Sequence, residues 1–352
     1  MPARATGWRH WWATPLVGSL GALLASAAHW PLPWIIGSLL AVTLVRCLGW
    51  RVQEIPNGRV SGQVVIATAI GLHFTQAVFA EVSAHFILIL GAAVLTLLLA
   101  LAGIALMRRL GMDLGTAYFA FMPANFAEMV RLAEDHGANV SRVAAAHSVR
   151  LAVIVLCVPP LAFWLGNVEP PTIHARPAAD WLWLVPMLGG GVLVAWLGKR
   201  VGLPNPWMFG PIGLCAALTA GFDLHLALPE TLSRYGQLMI GCALGVHFDR
   251  AFFRSAPAFL LRALLFTFVM IGSTAALAWA VAYLAALPAA TLSLGMMPGS
   301  STEMYLTAEA LHLGVGLVTA MQITRLVVVM LAAEPVYKRW RGRCERQATR
   351  QN

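Results

Sequence analysis

The sequence predicts an all-α integral membrane protein of two inverted-topology repeats, with about 10 transmembrane helices and two Pro-interrupted re-entrant segments. Three observations predict it: long apolar runs, an internal duplication in near-constant register, and a one-sided distribution of Lys and Arg. Of 352 residues, 59% are hydrophobic and 11% charged, against about 25% charged in an average soluble domain. The apolar residues fall in runs such as His85 to Met107 and Ala256 to Leu287, the length that a bilayer core asks of a helix. The formal charge of +9 would suggest a nucleic-acid binder in a soluble chain. Here Lys338, Arg339, Arg341, Arg343, Arg346 and Arg350 crowd the C-terminal tail, as a cytoplasmic flank does under the positive-inside rule. The five cysteines lie far apart with no CxxC spacing, so no metal site, disulfide framework or cofactor is expected. Arg4 and Arg9 ahead of a run ending in Ala25-Ser26-Ala27 look like a signal peptide, but that run has a full counterpart in the second half, which argues against cleavage.

The duplication is read by comparing the chain with itself. Pro33-Trp34-Ile35-Ile36-Gly37 returns as Pro206-Trp207-Met208-Phe209-Gly210, and Gly62-Gln63 as Gly236-Gln237. Gly71-Leu72-His73-Phe74 returns as Gly245-Val246-His247-Phe248, and Met122-Pro123 through Glu128-Met129 as Met297-Pro298 through Glu303-Met304. Arg150-Leu151 matches Arg325-Leu326. Each half then reads as one series. A first span (Trp12 to Ala28; Trp181 to Leu197) leads through a Pro-rich turn to a short second (Trp34 to Leu48; Trp207 to Phe222). A third (Val60 to Phe74; Leu232 to Phe248) and a long fourth (His85 to Met107; Ala256 to Leu287) follow. A Pro-interrupted segment (Leu114 to His136; Ala289 to His312) precedes a closing span (Val140 to Leu165; Gly314 to Tyr337).

Charge placement decides how the interrupted segment runs. If it dips in and returns, Arg4, Arg9, Arg46, Arg51, Arg59, Arg108, Arg109, Arg142, Lys199, Arg200, Arg250, Arg254 and the six tail residues are cytoplasmic, and only Arg176 and Arg234 lie outside. If it crosses fully, Arg142, Lys199, Arg200, Arg250 and Arg254 move outside and the bias weakens. The inverted arrangement follows, with both termini inside. Its divisions are a first repeat over 1–168, a periplasmic linker over 169–180, a second repeat over 181–337 and a basic cytoplasmic tail over 338–352. The expected location is a bacterial inner (plasma) membrane.

With these motifs the chain resembles the AbrB-type membrane proteins, a duplicated family often labelled ammonia monooxygenases or regulators of gene expression. The resemblance covers essentially the whole chain. The name is shared with a small soluble DNA-binding regulator, whose features are absent here. By analogy of architecture the family is similar to the cation/proton antiporter and anion transporter group, whose inverted halves carry broken helices near the midplane.

Ionisable residues inside a bilayer cost at least about 2.5 kcal/mol and mark partners or function. Glu128 and Glu303 stand five residues after the helix-breaking Pro123 and Pro298, and Arg150 and Arg325 lie within the closing spans. After each Pro, Ala124-Asn125 and Gly299-Ser300-Ser301-Thr302 are N-cap material. A helix restarts there with free N–H groups, which favours an anion. In one reading Asn125, Ser300, Ser301, Arg150 and Arg325 hold a carboxylate-like substrate while Glu128 and Glu303 bind a proton or sodium ion. In the other, Glu128 pairs with Arg150 and Glu303 with Arg325 to lock the fold. His147 and Gln322 stand at equivalent positions one turn before the Arg residues, as a proton carrier or as polar residues of a bundle crevice. His73 and His247 end the third spans as interfacial imidazoles. Ala67-x-x-x-Gly71 and Gly241-x-x-x-Gly245 fit close helix packing. Glu134 and Glu309 are expected in solvent, and Trp8, Trp11, Trp12, Trp181 and Trp183 as interfacial anchors.

The function expected is that of a secondary transporter moving a small, anionic solute by ion-coupled alternating access. No GxxxxGK[ST] loop is present to supply energy from a nucleotide. The alternative is a membrane-embedded regulator or sensor that affects gene expression indirectly. An ammonia monooxygenase is least favoured, because ten scattered histidines lack the H-x-H or H-x-x-x-H spacing that holds copper or iron; the chain is not expected to be an enzyme. The expected partners are the lipid bilayer, a small-molecule or ion ligand and, as a candidate, a second copy of the chain, but no nucleic acid. Single-cysteine accessibility tests the topology: labels at positions 142 and 199 should react from the cytoplasmic side and one at 176 from outside. Labelling of position 142 from the periplasm would overturn the re-entrant arrangement.

Overall fold

The computed structural model describes residues 11–50, 52–165 and 179–351. Arg4, Trp8, Arg9, Arg51 and Arg176, used in the charge and anchor readings, lie outside the described residues, as does most of the 169–180 linker. The described residues form sixteen helices and no strand. The first eight are α1 (Ala13–Ala27), α2 (Pro33–Cys47), α3 (Gly58–Leu72), α4 (Gln76–Ala84), α5 (Phe86–Arg109), α6 (Leu114–Phe121), α7 (Phe126–Asp135) and α8 (Val140–Leu165). The rest are α9 (Trp181–Arg200), α10 (Pro206–Phe222), α11 (Glu230–Gly245), α12 (Arg250–Ser255), α13 (Pro257–Ala285), α14 (Ala289–Met296), α15 (Ser301–Ala310) and α16 (Val315–Gln351).

Five of these are long and apolar enough to cross a membrane: α5, α8 over Val140–Ala162, α9, α13, and α16 over Val315–Cys344. A sixth is counted if α3 and α4, bent by 83° at their break, form one span. The apolar helices α1, α2 and α10 run 15 to 17 residues, or about 22–26 Å at 1.5 Å per residue. That is shorter than a hydrocarbon core of about 30 Å, so the expected count of about ten includes helices below full spanning length. The basic tail is a continuation of α16. Lys and Arg are good helix formers, and Lys338 Nζ lies 2.7 Å from Glu334 Oε1 one turn earlier.

The chain forms two compact units, and each draws on both sequence halves. One holds α1 to α3 and α9 to α12; the other holds α5 to α7, the N-terminal half of α8, α13, α14, most of α15 and α16.

In the first unit the duplicated glycines are where helix backbones touch. Pro33 and Pro206 open α2 and α10 at a position whose N–H would be unsatisfied anyway, each behind a left-handed residue, Leu32 at φ 48° and Asn205 at φ 47°. One turn on, a Cβ on Gly37 would overlap the main chain of Gly21 in α1, and one on Gly210 would sit 2.7 Å from Ala195 N in α9. The third helices then exchange partners. Gly71 of α3 rests on α10 beside Cys215 and Ile212 O, whereas Gly245 of α11 rests on α2 beside Leu39 O. Where α3 meets α11, a Cβ on Gly62 would lie 2.9 Å from Gly236 O, and one on Gly236 would lie 3.3 Å from Gly62 O. Small residues permit this close approach, which replaces a hydrophobic drive that lipid cannot supply. His73 and His247 each bond through Nδ1 to the carbonyl four residues back, Ala69 O at 2.9 Å and Ala243 O at 2.8 Å.

In the second unit, aromatic side chains fill the space around the short α6. Tyr118 Oη donates to Ala333 O of α16 at 2.8 Å, Phe119 packs at a tilt on Tyr337 with ring centres 4.6 Å apart, and Phe121 packs on Phe266 of α13 at 4.3 Å. Replacement of Gly37 by Ala should cost about 1–3 kcal/mol, because backbone rather than a flexible side chain must give way. Gly91→Ala, where nothing lies within 4 Å, should be neutral or stabilising by up to about 1 kcal/mol. Thermal unfolding of the two purified variants in one detergent checks the contrast.

Candidate functional site

Both proline breaks lie in the second unit. Met122 precedes Pro123, and steric conflict with the ring excludes it from the helical region; it is extended at φ −66°, ψ 129°. Met297 before Pro298 is the same at φ −57°, ψ 134°. A tight turn closes around each proline: Ala124 N donates to Met122 O at 2.9 Å and Gly299 N to Met297 O at 2.8 Å. The chain then re-enters helix. Asn125 caps α7 by accepting from Ala127 N at 3.0 Å, and Ser300 Oγ accepts from Thr302 N at 3.3 Å at the start of α15.

The break leaves the last carbonyls of α6 and α14 without helical partners, and Met122 and Met297 at the two breaks are buried. Buried side chains from the closing helices take them. Arg150 Nη1 donates to Met122 O at 2.8 Å and Nη2 to Ala124 O at 3.2 Å. Arg325 bonds the corresponding pair, Met297 O and Gly299 O, the latter at 2.8 Å. One turn earlier, His147 Nε2 donates to Phe119 O at 2.8 Å and Gln322 Nε2 to Leu294 O at 2.7 Å. The exposures are 7% for Arg150, 3% for Arg325 and 0% for His147 and Gln322. A guanidinium at a helix C-terminus also opposes the negative end of its dipole. The two cations are close enough to act on one another. Ile154, one turn beyond Arg150, lies where a Cβ on Gly299 would be, at 3.1 Å.

Arg150 is therefore held by main-chain carbonyls and not by Glu128, as one sequence reading had it. Glu128 is bound by Arg131 of its own helix, and Arg131 also reaches Asp135 at 2.9 Å. This i+3 and i+4 ladder was readable from spacing, yet Arg131 was not among the expected site residues. Glu303 is buried in the first turn of α15, where its carbonyl accepts from Thr307 Oγ1 at 2.7 Å. The two restarted helices differ in setting. Residues 301–308 are all buried, whereas α7 carries Arg131, Glu134 and Asp135 on an exposed side. Glu134 and Glu309 are both exposed, as expected.

Helices of membrane-crossing length, with breaks whose carbonyls are satisfied by buried guanidinium groups, are the make-up of a multi-pass helical membrane protein. The chain belongs to the family described as "Transition state regulatory protein AbrB", whose pattern matches residues 34–341. It is similar to "Uncharacterized protein YhjN" of Bacillus subtilis (strain 168), 22% identical over 348 residues, spanning 92% of this chain and 91% of that protein. It is also similar to "Putative regulator AbrB" of Escherichia coli (strain K12), 25% identical over 327 residues, spanning 91% and 92%.

The clamp has a consequence for stability. Arg150→Met should lose about 2–5 kcal/mol, since two hydrogen bonds from a charged donor disappear and the carbonyls stay buried. Glu128→Gln should lose less than about 1 kcal/mol, its partner being an exposed arginine. Adding Glu128→Gln to Arg150→Met should restore nothing, whereas a true ion pair would show rescue. Thermal unfolding of the three variants distinguishes these outcomes.

Proposed function

We propose that this chain is an inner-membrane secondary transporter that carries a small anionic solute by ion-coupled alternating access, with its ligand site at the two Pro-broken helix pairs. The observation that supports the reading best is the presence of both breaks in one compact unit, each held by a buried arginine. Broken helices whose restarted N-termini meet a ligand are the recurrent device of secondary transporters. Here α7 and α15 begin just after the carbonyls that Arg150 and Arg325 bond, so the local field favours an anion. Ser301, Thr302, Thr307, Gln322 and Arg325 are all buried, an investment in polar groups that a purely structural helix does not need. The charged ladder Glu128–Arg131–Asp135 on α7 would be costly against lipid, which makes water the natural medium for that side.

The exchange of helix partners between α3 and α10 and between α11 and α2, together with the meeting of Gly62 and Gly236, fits two repeats related by a twofold axis. The charge distribution favours inverted repeats, about ten crossings and cytoplasmic termini. The regulatory name carried by the Escherichia coli relative fits a second role, in which solute movement alters expression indirectly.

A thermal-shift panel of small carboxylates and inorganic anions on the purified protein, followed by uptake of any stabilising anion into proteoliposomes, tests the reading. The expected result is uptake by the native chain that falls at least about tenfold in Ser300→Ala, whose cap loss costs only about 1 kcal/mol of stability. Changed transcription in a deletion strain, with no anion bound and none moved by the purified protein, would favour the sensor instead.

A further inference from the structure

We propose that His147 is the proton-binding site of this protein and that a proton bound there releases the first helix break while the second stays closed. The inference rests on the transporter reading and names its coupling ion.

The hydrogen bonds around His147 permit one protonation state. Nε2 faces Phe119 O at 2.8 Å, and a carbonyl only accepts, so Nε2 carries the hydrogen. Nδ1 faces Arg150 Nη2 at 3.0 Å, and a guanidinium only donates, so Nδ1 offers its lone pair. The ring is neutral, and both nitrogens are committed. It thereby joins the clamp: Arg150 Nη2 is shared between Ala124 O and His147 Nδ1 while Nη1 holds Met122 O.

A proton arriving at Nδ1 takes up that lone pair. The bond from Arg150 Nη2 is lost, Arg150 keeps its own proton, and an imidazolium stands against a guanidinium. The groups that bond to or stack on the ring, the Phe119 carbonyl, Arg150 and Phe126, include no anion. From α6 the ring meets the Phe119 carbonyl, and from α7 the edge of Phe126, with ring centres 6.1 Å apart; neither titrates. Glu128, the carboxylate of the neighbouring first turn of α7, is engaged by Arg131. Arg150 in turn acts on a second cation, Arg325. The closed break admits only the neutral ring, so acid drives the equilibrium towards a form in which Arg150 has left Met122 and Ala124.

The second break lacks this response. Gln322 Nε2 spends its two hydrogens on Leu294 O at 2.7 Å and Met297 O at 3.0 Å. An amide takes up no proton in the range where imidazole does. One half therefore senses protons and the other does not.

Hydrogen exchange on the full-length protein in lipid nanodiscs, corrected for intrinsic exchange at each pH, reads the two breaks separately. Between about pH 8 and about pH 5, peptides over residues 114–135 should exchange severalfold faster and those over 289–310 should not change. His147→Gln should abolish the response of the first break. Gln322→His should confer one on the second, and it carries the test if His147→Gln does not fold. An equal response in both breaks, no response in the native protein, or a response that survives in His147→Gln would overturn the proposal. Anion uptake retained by a protein whose first break ignores pH would remove the proton site and leave the transport reading standing. A pH-gated break in a protein that moves no solute would do the reverse.

Discussion

A helix that stops in a buried setting leaves carbonyl oxygens with no water to take them, and the second unit is organised around satisfying those oxygens. Each proline excludes its preceding methionine from the helix and removes a donor. The carbonyls set free, Met122 O and Ala124 O in one break and Met297 O and Gly299 O in the other, then fix where Arg150 and Arg325 must stand. Those positions place α8 and α16 against the breaks, and His147 and Gln322 one turn earlier reach Phe119 O and Leu294 O. The arginines need no carboxylate partner for this role, because a guanidinium directed at the end of a helix is balanced by the helix's own partial charge and by charge-assisted hydrogen bonds.

The elements most legible in the sequence were those where backbone geometry allows few residue types. Gly37 and Gly210 recur because another backbone occupies the space of their Cβ, and Pro33 and Pro206 recur because they open a helix at a position that needs no N–H. Register-constant matches of Gly, Pro and Arg therefore located the helix starts and the breaks to within a few residues, whereas the last helix runs past the expected end at Tyr337 to Gln351. The short helices α4 and α12 escaped notice because neither has an apolar run of spanning length. For α12 a local sign existed, since Asp249 accepts from Phe252 N at 2.7 Å as an N-cap.

What the sequence did not disclose was the partner of each charge. A sequence displays side-chain charges and hides main-chain carbonyls, so a membrane arginine invites pairing with the nearest suitable carboxylate. Glu128 in fact had a partner three residues away on its own helix. The grouping of helices was equally hidden: reading along the chain suggests one body per repeat, whereas each compact unit takes helices from both halves. Only contacts such as Gly62 against Gly236 reveal that equivalent elements of the two halves meet.

The two breaks, so alike in their clamps, sit in different surroundings. At the position equivalent to Arg131 the second half carries Leu306, and at that of Asp135 it carries Ala310. The first pair of residues forms a ladder with Glu128 that keeps one side of α7 charged and exposed. The second pair removes the ladder, and α15 is buried over residues 301–308. An exposed arginine and aspartate are cheap only where water reaches them, and Leu306 is buried where Arg131 is exposed. The titratable His147 stands beside the half with the charged face, and the proton-inert Gln322 beside the half that is sealed.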